Sequence, residues 1–123
     1  MKTEAHGTCV AGTELSFKLI VANIEDINQA HIHCGAAGVA GPVVAFLYGL
    51  NPVVSPDGIL SEGTVTAASV IPRPDSVACP GGVANFAALL AKMQSGDAYV
   101  NVHTLANLAG EIRGQIHRGG PKS

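Results

Sequence analysis

A chain of 123 residues fits one domain and is long enough for a single hydrophobic core. Hydrophobic residues make up 47% of it and charged residues only 13%, while 15 glycines and 7 prolines break the chain often, a balance that favours a turn-rich β fold over a helical bundle. The formal net charge of -2, with no block of Lys and Arg, excludes a nucleic-acid surface, which needs clustered cations to displace counterions.

No apolar run approaches the roughly 20 residues of a membrane helix, so no membrane span is expected. Residues 1–12 lack the basic and apolar regions of a secretory leader. That start suits a cytoplasmic protein, and equally the mature form of a secreted, periplasmic or cell-surface one.

Residues 6–11 predict a short opening strand, followed by a turn at Gly12-Thr13. The run from Glu14 to Ile24 alternates: Leu15, Phe17, Leu19 and Val21 share one face, and Glu14, Ser16 and Lys18 the other. The polar segment Glu25 to Gln29 reads as a loop into a strand at about 29–34, which carries His31-Ile32-His33. Residues i and i+2 of a strand point to one side. His31 and His33 therefore project together, while Ala30, Ile32 and Cys34 face an apolar layer.

Gly35 to Pro42, with three glycines and a closing proline, is a loop that needs unusual backbone angles. It is not a phosphate cradle, because no Lys-Ser/Thr follows and the next segment, Val43 to Tyr48, is a strand. Residues 49–58 form a turn-rich connection, Ile59 to Ala67 a further strand, and residues 71–82 a long connection with three prolines. The period then changes over 83–95, where Phe86, Leu89, Leu90 and Met93 recur at helical spacing and Gly96 stands at the C-cap position.

Two strands close the chain, 98–104 and 110–117. In the first, Tyr99 and His103 lie on the face opposite Val100 and Val102. In the second, Glu111, Arg113, Gln115 and His117 oppose Ile112, Gly114 and Ile116. Residues 118–123 read as a frayed tail. The strand spacing points to an antiparallel β-sandwich or barrel with one short helix.

The three cysteines, Cys9, Cys34 and Cys79, fit no Cys-x-x-Cys pattern. One disulfide with one free thiol and three free thiols are both open. Cys34 points away from the imidazoles, so a thiolate ligand there would need a bulge. A Cys34–Cys79 bridge is the pairing to expect, because it would pin the long connection before the helix to the sheet and leave Cys9 free. Such a bridge implies an oxidising compartment.

With these pieces in place, the chain resembles the chordin-type (CHRD) domain. The resemblance rests on A-H-I-H-C-G-A-A-G-V-A-G-P-V-V-A-F-L at 30–47 and A-Y-V-N-V-H-T-L-A-N-L-A-G-E-I-R-G-Q-I at 98–116. It covers about residues 14 to 117, and Ala40 and Leu108-Ala109 depart from the family's more frequent Asn-Gly-Pro and Asn-Pro-Gly-Gly. The resemblance brings no assigned activity.

A fainter resemblance, to the copper half of Cu,Zn superoxide dismutase, implies an immunoglobulin-like Greek-key fold. It matches His31 and His33 to paired copper ligands, His103 to a third, and Arg113 to an arginine that attracts a small anion such as superoxide. No histidine lies between Gly35 and Thr64, so the zinc half is missing and the implied site holds one metal.

Three neutral imidazoles suit Cu(II) or Zn(II), and copper, at the top of the Irving–Williams order, is expected over zinc. Asn101, Thr104, Glu111 or Gln115 would fix the ring tautomers. Arg113 either steers an anion or pairs with Glu111 at the surface, and Tyr99 either supports the site or packs. His117, four residues from Arg113 and roughly 13 Å along a strand, reads as an exposed terminal residue. A first strand would bring His6 beside the site, yet His6 precedes the region that resembles the CHRD domain. The expected function is a copper-binding β-sandwich with a redox or copper-carrier role, or a copper-dependent dismutase. The rival is an extracellular interaction module without a metal.

Overall fold

The computed structural model describes residues 2–10, 14–49, 53–108, 110 and 112–116. The alternating segments become strands: β1 (Lys2–Val10), β2 (Glu14–Ala22), β3 (Ile27–Cys34), β4 (Val43–Tyr48), β5 (Gly58–Thr66), β6 (Ala98–Thr104) and β7 (Ile112–Gln115), with one helix, α1 (Phe86–Ser95), between β5 and β6. They form two antiparallel sheets, ordered β1-β2-β5 and β4-β3-β6-β7. The chain crosses from one sheet to the other between β2 and β3, again between β4 and β5, and again between β5 and β6. This is the Greek-key exchange of an immunoglobulin-like sandwich. At one edge β5 meets β4 through Ser61 Oγ, which donates to the Leu47 carbonyl at 2.7 Å, but no ladder joins these strands and the sandwich is not a closed barrel.

The inner layer is made of the residues whose alternation predicted it. Leu15, Leu19 and Val21 of β2 and Val65 of β5 face Ala30, Ile32 and Cys34 of β3, Val44 of β4, and Ala98, Val100 and Val102 of β6, all buried. At roughly 25 cal/mol per Å² of apolar area, this layer is the main force holding the two sheets together. Phe17, expected in the same row, is only half-buried. It lies against Gly63, its partner in register on β5.

Helix α1 closes one end. Asn85 caps it by accepting from the Ala88 amide at 2.9 Å, and Phe86, Leu89 and Met93 are its buried residues. Gly96, at φ 82, ends it in the left-handed conformation that glycine adopts without penalty. The helix starts later than residue 83 because Val83 exchanges backbone bonds with Arg73.

Other boundaries differ for similar reasons. β3 begins at Ile27 rather than 29, since Ile27 bridges Val54 and pairs with Thr104, so that Asn28 and Gln29 belong to the strand and not to a loop. β1 extends back to Lys2, and β7 begins only at Ile112, after Gly110 at φ 122. The Cys34–Cys79 disulfide is present, with a Cα–Cα distance of 5.5 Å, and ties the connection before α1 to the end of β3. The Gly12-Thr13 turn, Glu111, His117, the 118–123 tail and the side chains of His6, Cys9 and Gln115 lie outside the described residues.

Candidate metal centre

The β3–β6 register builds the site. It sets Gln29 opposite His103, His31 opposite Asn101 and His33 opposite Tyr99, all on the side of the sheet away from the apolar layer. His31 and His33 therefore stand in line on β3, with His103 beside them on β6. Ring centroids are 4.7 Å apart for His31 and His103, 5.6 Å for His31 and His33, and 5.8 Å for His33 and His103. One nitrogen from each ring lies within 4.8 Å of the other two.

This outer face is not a wet one. His31 is 4% and His33 7% exposed, with the Gly41 carbonyl against His33 and the Leu108 carbonyl against His103, which is partly exposed. Phe46, opposite His31 on β4, sets its ring edge-on to the imidazole at 4.4 Å and forms an apolar wall that is itself 45% exposed. β4 reaches this position through two register shifts, which add Leu47 and Val44 to the strand and tuck both into the core.

The outer hydrogen bonds decide which nitrogens are left for a ligand. His33 Nδ1 donates to the Gly41 carbonyl at 2.9 Å, and His103 Nδ1 donates to the Leu108 carbonyl at 2.9 Å. A carbonyl only accepts, so a neutral ring in either place keeps its proton on Nδ1 and its lone pair on Nε2. His31 Nε2 donates to Gln29 Oε1 at 2.7 Å, which leaves the lone pair on Nδ1. These three lone pairs are the ones that converge. His31 Nδ1 stands 3.0 Å from His103 Nε2, and His33 Nε2 is buried with no hydrogen-bond partner among the described residues.

Burial also disfavours protonation. The His31 imidazole is pushed down to about 4, first by desolvation and then by the nearby charges of His103 and His33. His33 is lowered for the same first reason, opposed by its bond to Gly41 and reinforced by His103, Arg113 and Arg73. Neutral imidazole is the form that binds a metal.

The loop over His33 is held closely. Gly41 lies so near Cys34 that a Cβ built on it would be 1.7 Å from the Cys34 carbonyl oxygen, so only glycine fits there. Its N–H donates to the Tyr99 hydroxyl at 2.9 Å. The Tyr99 ring stacks on His33, with centroids 4.8 Å apart and planes inclined by 10°, and the Arg113 guanidinium carbon lies 3.4 Å from the centre of the same ring. Arg113 Nη1 and Nη2 donate to the carbonyls of Val39 and Ala36, each at 2.6 Å.

The structure thus brings together the three sequence-predicted histidines and sets Arg113 and Tyr99 beside them. The tautomer-fixing groups differ from the side chains expected, being two backbone carbonyls and Gln29. Gln29 was within reach of the sequence, since it stands two residues before His31 and shares its face. The two carbonyls were not, because any residue supplies one. Glu111 and His117 lie outside the described residues, as do the side chains of Gln115 and His6.

Among the described residues, no helix is long and apolar enough to cross a membrane. No curated protein and no solved structure matches the chain. The model of the CHRD domain matches residues 1–116, and the chain therefore belongs to the CHRD domain family.

Proposed function

We propose that this domain binds one copper ion through His31 Nδ1, His33 Nε2 and His103 Nε2, in a redox or copper-carrier role outside the cytoplasm. The observation that carries this reading is the buried, unpartnered Nε2 of His33. A buried polar atom without a partner costs about 1–3 kcal/mol, and a metal bond would remove that cost. The outward bonds of all three rings, to Gly41, Leu108 and Gln29, are the arrangement that orients metal-bound histidines in general.

Copper is favoured over zinc because it binds nitrogen donors more tightly. The disulfide and the CHRD family support an extracellular or periplasmic setting.

Metal analysis of protein purified without chelator or a nickel column tests the reading. One copper per chain is expected, falling to a trace in His33→Ala. A stoichiometric zinc content that resists copper exchange would overturn the choice of metal. No bound metal, before or after copper addition, would overturn the site and leave an extracellular interaction module, the reading that family membership alone supports.

A further inference from the structure

The copper reading names the ligands, but it leaves unexplained why Arg113 is built into the loop above them. An arginine kept to attract anions would present its fork to solvent. Here both terminal nitrogens are committed to the Val39 and Ala36 carbonyls, at 2.6 Å each, and the planar group lies on the Tyr99 ring. The fork holds the loop from two points, and the ring beneath it carries the hydroxyl that accepts from the Gly41 N–H. The Gly41 carbonyl in turn receives the proton of His33 Nδ1. Both arms, loop and ring, end at one residue, Gly41.

Resting on that copper reading, we propose that Arg113 is a positioning residue for the metal site: by fixing Gly41 through the loop and through Tyr99, it keeps the His33 proton on Nδ1 and the Nε2 lone pair aimed at the metal. The chemistry needs a planar, doubly donating group, which lysine does not supply. The loop's own bonds, from the Val39 N–H to the Ala36 carbonyl and from the Cys34 N–H to the Pro42 carbonyl, each at 3.0 Å, draw its ends together, and Arg113, more than seventy residues away, clamps it from outside. Gly41 reaches the Cys34 carbonyl only because it lacks a side chain.

The test reads the tautomer directly. Long-range nitrogen–proton correlation spectra of the histidine rings, recorded on metal-free protein at mildly alkaline pH, assign the proton of His33 to Nδ1 or Nε2. Copper affinity is measured on the same samples. Wild type is expected to show His33 protonated at Nδ1. Arg113→Gln and Arg113→Lys are both expected to show a mixture of tautomers and a loss of copper affinity of about tenfold or more.

Lysine keeps the charge and loses the fork, so wild-type behaviour in Arg113→Lys would overturn the proposal and return the residue to a purely electrostatic role. An unchanged tautomer in both variants would overturn it as well. Should the arginine variants fail to fold, Tyr99→Phe removes only the hydroxyl arm and is expected to shift the His33 tautomer in the same direction; no shift there would also contradict the proposal. Wild-type protein that binds no copper yet shows the Nδ1 tautomer would defeat the copper reading alone, since the tautomer is read without metal.

Discussion

His33 and Gly41, eight residues apart, are joined by a 2.9 Å hydrogen bond from the imidazole Nδ1 to the backbone carbonyl, and that bond sets which nitrogen of His33 faces His31 and His103. A glycine is required at its far end by close approach, not by an unusual φ. A side chain at Gly41 would run into the Cys34 carbonyl, on the residue next to His33.

Gly41→Ala should therefore be among the more damaging single changes in the chain. Backbone has to move to admit one methyl group, and such overpacking costs on the order of 2–3 kcal/mol. Chemical denaturation should show a lowered midpoint with little change in slope. Gly38→Ala is the control: Gly38, at φ 80, has open space around it, so that change costs only the backbone strain of about 1–2 kcal/mol.

The Cys34–Cys79 bridge closes a loop with a sequence separation of 45. In the chain-entropy account a loop of that size contributes up to about 4 kcal/mol by restricting the unfolded chain. Reduction, or the Cys34→Ser/Cys79→Ser double variant, should lower the thermal midpoint by on the order of 10 °C. An equal midpoint in oxidised and reduced protein would contradict the stabilising role given to the bridge.

Acid should destabilise the metal-free protein through His31. The folded ring is held down to about 4 against an ordinary 6.5, so the unfolded chain binds the proton more readily. His31 therefore contributes its full stability above about pH 6.5, and loses it progressively as the pH falls toward 4. A loss on the order of 2 kcal/mol across that window is expected. Denaturant midpoints against pH should flatten over that window in His31→Asn.

Much of this arrangement was legible in the residues. The two-residue period of His31-Ile32-His33 put both imidazoles on one face, and the matching alternation of Tyr99 to Thr104 put His103 on a polar face. These depend only on strand geometry. The helix boundary at Gly96 was legible for an equally local reason, since a left-handed C-cap selects glycine.

What escaped the sequence was decided by backbone contacts between distant segments. The Ile27–Val54 bridge drew Asn28 and Gln29 into a strand, although their polarity reads as loop. The two shifts in β4 that bring Phe46 against His31 leave no compositional mark. The carbonyls of Gly41 and Leu108 orient rings, yet nothing in a residue's identity announces its carbonyl. Arg113 read as an anion-steering residue or a surface partner of Glu111, because the loop that it grips lies more than seventy residues away.

Titration of copper into the metal-free protein, followed by electron paramagnetic resonance, tests the central claim most directly. The account predicts one tetragonal Cu(II) signal that saturates at one equivalent, split by imidazole nitrogens, and lost or redrawn in His33→Ala. A signal without nitrogen coupling, or one unchanged by His33→Ala, would contradict it.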